Sequence, residues 1–92
     1  MKVTGVDFVE DCLDGTSLRD ICLDHPVDAE LVHRLAASGA IDFYSHFPIP
    51  YFRGNACGAG VMGTTGSSSF RVVLPRADRD RVLERLIAVV VQ

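Results

Sequence analysis

The stretch from Ser17 to Ile41, SLRDICLDHPVDAELVHRLAASGAI, restricts the fold more than any other part of the chain. Pro26 interrupts it, and the residue before a proline avoids helical angles, so no single helix can run through. Before the proline, Leu18, Ile21 and Cys22 stand at i, i+3 and i+4, one face of a helix that Thr16 or Ser17 can cap. After it, Asp28 can cap a helix with Leu31, Val32, Leu35 and Ala36 as its buried stripe, stopped by Ser38-Gly39. The spacing predicts two short helices joined by a tight turn.

The flanks complete an expected α+β architecture. Asp7 can cap an earlier helix with Phe8, Val9, Cys12 and Leu13 on one face, ended by Gly15. From Ala40 the apolar period falls from 3.6 to 2. Ile41, Phe43, Ser45 and Phe47 lie on one side and Asp42, Tyr44 and His46 on the other, the pattern of a half-buried strand. Pro48 and Pro50 break it, and Tyr51-Phe52 can start another. Five glycines between Gly54 and Gly66 suit a loop or a bulged, closely approached strand. Phe70–Leu74 reads as a strand closed by Pro75. A last helix from about Ala77 shows Val82, Leu83, Leu86, Ile87, Val90 and Val91 on its apolar face. The expectation is one domain over residues 1–92. Residues 1–39 form a three-helix half, 40–75 a small antiparallel sheet of two or three strands with the glycine-rich segment 54–66, and 76–92 an amphipathic helix.

Composition narrows the class. A chain of 92 residues, 48% of them hydrophobic, has room for one modest core and is too apolar for a disordered tail. No apolar run reaches the roughly 18 residues of a membrane span. The start, MKVTGVDFVEDCLDG, turns acidic where a secretory signal needs an apolar centre. Three cysteines, an odd number with no close pair, fit free thiols in a reducing compartment. A soluble cytoplasmic protein without a membrane partner is expected. Charge is uneven: residues 1–38 hold eight acids against three bases, a formal −5, and residues 39–92 six arginines against four acids, +2. The two parts can attract one another, within a subunit or between two.

Within the central stretch, Ser17, Leu18, Ile21, Val27, Asp28, Val32, Arg34, Leu35, Ser38, Gly39 and Ile41 follow the order of a small helix-turn-helix core without a gap. The segment resembles the helix-turn-helix of excisionase-like and MerR-like DNA-binding domains over about a quarter of the chain. The resemblance implies a reading helix with His33 and Arg34, and a β wing carrying Arg53 and Arg71. However, that helix also carries Asp28 and Glu30, where a DNA reader needs several cations for phosphate. Nucleic acid is therefore disfavoured as a partner.

Other chemistry is sparse. Gly58, Gly60 and Gly63 match a dinucleotide-type glycine spacing, but the Thr64–Ser69 run that follows cannot start the required helix. Cys22, His25 and Cys57 are the candidates for metal or thiol sensing, although their spacing matches no tight pair of ligand pairs. No catalytic constellation stands out and no cofactor is implied. The sequence favours a small non-enzymatic module that acts by protein–protein contact and self-associates. Its candidate surfaces are the proline-stiffened strip with Phe47, Ile49, Tyr51 and Phe52, and the helix face with Leu83, Leu86 and Val90. A winged-helix DNA-binding regulator is the alternative, and a metal or thiol sensor the third class.

Overall fold

The computed structural model describes all 92 residues. Strands β1 (Val3–Asp11) and β2 (Ser17–Leu23) form a hairpin, helix α1 (Ala29–Ala37) follows, and β3 (Gly39–Tyr44), β4 (Tyr51–Ala56), β5 (Ala59–Thr64) and β6 (Ser69–Leu74) make a meander that ends in helix α2 (Arg79–Val90). All six strands join one antiparallel sheet in the order β1-β2-β6-β5-β4-β3. Helix α1 lies against β3 and β4, α2 against β6, and the two helices touch each other. One face of the sheet is thus roofed. The other is left to solvent.

This overturns the expected three-helix half, the helix-turn-helix-like pair and the small sheet of two or three strands. Residues 17–23 form a strand because Ile21 and Leu23 alternate into the core while Leu18, Asp20 and Cys22 face the other way. The apolar spacing of Phe8, Val9, Cys12 and Leu13 imitates a helix for a different reason. β1 loses register with β2 between Val3 and Gly5 and again between Phe8 and Glu10, and each slip shifts the phase of a two-residue period. The expected wing fails as well, because the strands that carry Arg53 and Arg71, β4 and β6, are separated by β5 in the sheet. The second helix of the pair does form: Leu31 N–H donates to the Asp28 carboxylate at 2.9 Å, and Leu31, Val32 and Leu35 are buried. The C-terminal helix and the strand at 70–74 form too.

The glycine-rich segment is a hairpin. Ala56 pairs with Ala59, and the two residues between them, Cys57 (φ 56°) and Gly58 (φ 87°), both turn left-handed, as a type I′ turn requires. Next to it, a Cβ on Gly63 would lie 2.9 Å from the Phe70 Cβ and 3.0 Å from the Phe52 ring, so glycine there lets both rings fill the core. A Cβ on Gly54 would overlap the backbone carbonyl of Ala40 across the β3–β4 ladder. The resulting core unites Ile21, Phe52, Val61, Phe70, Val72 and Leu74 of the sheet with Val27, Leu31, Val32 and Leu35 around α1 and Val82, Leu86 and Val90 of α2.

Two substitutions test these backbone requirements by urea denaturation. Gly54→Ala should lower stability by at least about 2 kcal/mol, because backbone rather than a mobile side chain must move. Cys57→Asn should raise it by about 1 kcal/mol, since asparagine tolerates the left-handed region that cysteine does not. A drop in the urea midpoint of Cys57→Asn would contradict the turn assignment.

Candidate functional site

Alternation along the strands decides what the open face displays. Cross-strand register aligns a single row over it: Asp20 opposite Arg71, Arg71 opposite Met62, Met62 opposite Arg53, and Arg53 opposite Asp42. The row is a methionine flanked by two arginines and then by two acids. Arg71 bonds Asp20 through Nε at 3.0 Å and Nη2 at 3.4 Å, and this contact raises the guanidinium pKa further. The ion pairs of the chain are this one and His25–Asp24, so Arg53 stands exposed and unpaired.

Next to Arg53 an aromatic cluster gathers where β3 turns into β4. Tyr44 and Tyr51 pair across the two strands with ring centroids 4.6 Å apart and planes 21° apart. Phe47 in the loop folds back against both, 6.0 Å from Tyr44 and 5.5 Å from Tyr51, and His46 stacks on Phe47 at 4.5 Å. Phe47, Ile49 and Met62 are all more than two-fifths exposed, high for side chains of this size. A shallow depression of about 400 Å³ runs from Tyr51 past Arg53 to Met62 and Thr64. A second of about 300 Å³ continues from Met62 to Arg71 and Asp20.

The residues singled out by sequence divide accordingly. Phe47, Ile49 and Tyr51 reach this surface. Phe52, Leu86 and Val90 are fully buried in the core, and Leu83 packs partly against it. The expected strip is therefore a loop followed by a strand that turns alternate residues inward. His33 and Arg34 lie in the helical layer, His33 edge-on to Phe43 and Arg34 donating to the Gln92 carbonyl, while Arg53 and Arg71 lie on the opposite face of the sheet. No single surface carries all four. Tyr44 and Met62 were not singled out, although the two-residue alternation from Ala40 had already placed Tyr44 away from Ile41 and Phe43.

The sulfur and imidazole candidates are dispersed as well, and no three His, Cys, Asp or Glu side chains gather as a metal site would require. Cys57 sits in the β4–β5 turn, whereas Cys22 lies on β2 and directs its thiol at the Asp7 carboxylate, 3.4 Å away. Burial first, then the Asp7 hydrogen bond, pushes the Cys22 thiol up, opposite to what a reactive thiolate needs. His25 contacts Asp24 at 2.9 Å. The Asp24 carboxyl also accepts the Lys2 backbone N–H at 2.7 Å, and chiefly through that bond it is held down to about 2.

No protein-family model matches the chain, and neither a curated protein nor a solved structure does. No helix is long and apolar enough to cross a membrane.

The Asp24 tie gives a pH signature. Its folded pKa lies below the ordinary 3.8, so its contribution is present above that value and lost as pH falls through about 2. The carboxyl carbon shift of Asp24 should titrate with a midpoint near 2. Asp24→Asn should lose less stability than the wild type between the two values. A midpoint at the ordinary value would show that the Lys2 contact does not form.

Proposed function

We propose that this chain is a non-enzymatic binding module that works in the cytoplasm by protein–protein contact through the aromatic corner of its open sheet face. One observation carries the reading: an aromatic cluster of half-buried Tyr44 and Tyr51, stacked on each other, with exposed Phe47 against both, lies beside exposed Met62 and an unpaired Arg53. Aromatic side chains on a fixed scaffold lose little entropy when they are covered, and aromatics and arginine dominate protein interfaces. The chemistry suits an extended peptide segment with an apolar side chain for the depression and a carboxylate for Arg53, which can bind it through two hydrogen bonds. Three unpaired cysteines support a reducing setting.

Stacked aromatics beside an arginine also suit single-stranded bases. The neighbouring charges weigh against that use. Asp20 and Asp42 close the two ends of the cross-strand row, Asp20 already engages Arg71, and Asp7 stands opposite Asp20. A phosphate backbone laid along this row would meet acids at both ends. Protein is the better-matched partner.

Selection from a displayed peptide library should enrich sequences with an aromatic or aliphatic residue close to an acid. The double variant Phe47→Ala, Tyr51→Ala should bind them at least about tenfold more weakly, and Arg53→Glu should lose the preference for the acid. These side chains lie outside the buried core, so circular dichroism of the variants should match the wild type. Oligothymidylate should show no anisotropy change at micromolar protein. Peptides that bind the double variant equally well, or tight oligothymidylate binding, would overturn the reading.

A further inference from the structure

The two edges of the sheet are unlike. β1 is interrupted twice in register and carries Asp7, Glu10 and Asp11, devices that turn away an incoming strand. β3 pairs with β4 over six consecutive residues without a slip, and its single charge is Asp42. The Cys57 N–H donates to the Ser38 carbonyl at 3.0 Å, which fixes the phase of that ladder. Ala40, Asp42 and Tyr44 then turn their backbone groups toward β4, and Ile41 and Phe43 turn theirs outward.

We infer that β3 is a dimerisation edge and that its occupant is β3 of a second copy, paired antiparallel about a two-fold axis at Ile41. This rests on the reading of the chain as a protein-contact module and supplies its self-association. The register follows from the side chains. Centred on Ile41, each Ile41 meets the partner subunit's Ile41, and each Phe43 meets the partner subunit's Gly39, a pairing in which an aromatic ring covers an edge glycine. Asp42 then lies opposite the partner subunit's Ala40. Centring on Asp42 would oppose two carboxylates, and centring on Ala40 would bring Phe43 against the last turn of the partner's helix α1. Ile41 and Phe43, half-buried on the roofed side, gain cover they lack in one copy. A head-to-tail chain of β3 on β1 would need the interrupted acidic edge, so the contact closes at two copies.

Sedimentation equilibrium over micromolar to millimolar protein tests this with three variants. The wild type, 10.0 kDa per chain, should move reversibly toward twice that mass. Ala40→Glu places an acid against the partner subunit's Asp42 and should weaken the dimer about tenfold at low salt. Ala40→Lys places a cation there and should tighten it by a similar factor, both effects shrinking as salt is raised. Ala40 is exposed, so neither change touches the core. Ile41→Pro removes an outward N–H without removing a bond to β4 and should leave a folded monomer. A monomer throughout, or a dimer indifferent to the sign of residue 40, overturns the inference. Peptide binding by the monomeric Ile41→Pro variant separates the two claims: if the aromatic corner still binds, only the dimer has failed.

Discussion

Six cross-strand pairs between β2 and β6, from Ser17 opposite Leu74 to Cys22 opposite Ser69, hold the two parts of this protein together. Beyond this ladder, the Leu23 N–H donates to the Ser68 carbonyl at 2.8 Å, and Arg79 of α2 donates to the Gly15 carbonyl in the hairpin turn at 2.7 Å. The residues the ladder joins are some fifty positions apart, so most of the chain must be gathered before the pairing yields any free energy. What makes it worthwhile is burial on the roofed side. Ile21 lies opposite Phe70, both are essentially inaccessible, and the same face continues through Val72 and Leu74 beneath α2. The connection from β2 to α1 is fastened to the same end of the sheet by two backbone bonds, Gly66 N–H to the Val27 carbonyl and Val27 N–H to the Ser67 carbonyl. Val27 itself is buried, so the crossing is pinned by both polar and apolar contacts.

The same ladder explains how far the chain could be read without coordinates. α1 was legible because its evidence is local: an aspartate at the cap, three inward side chains at helical spacing, and a stop at Ser38-Gly39. α2 and β6 were legible for like reasons. β2 was not, because Leu18, Ile21 and Cys22 fit one face of a helix, whereas in the strand Ile21 faces opposite to Leu18 and Cys22, an arrangement that pairing with the distant β6 imposes. β1 was masked by its own irregularity. In the segment 54–66 the glycines concealed a hairpin, since a strand whose positions are emptied to admit Phe52 and Phe70 has little apolar pattern left to show.

The candidate surface was half visible for the same reason. Phe47, Ile49 and Tyr51 stood out because they are large, close in sequence and flanked by prolines. The companions that give the surface its character, Met62 and the unpaired state of Arg53, come from register. Met62 lies between two arginines only because β5 sits between β4 and β6. The uneven charge of the chain also takes a definite form. Asp20, from the acidic part, holds Arg71, from the basic part, within one subunit and across the ladder on which the fold depends. With Arg71 and Asp20 both partly exposed, that pair contributes modestly to stability, and its larger effect is to leave Arg53 as the free cation of the row.

The strand order also decides where such a sheet can grow. A meander ending at β3 and a hairpin ending at β1 leave two edges, and each exposes backbone groups that pair readily with another strand. β1 answers this with acids and slipped register. β3 cannot do the same, because its inward residues Ile41 and Phe43 complete the core beside α1, and slipping its register would turn them to solvent. A regular edge is the consequence of burying those two side chains. The openness of β3 therefore follows from the packing of the fold itself, and a surface of that kind is kept out of trouble most simply when it is matched to its own copy.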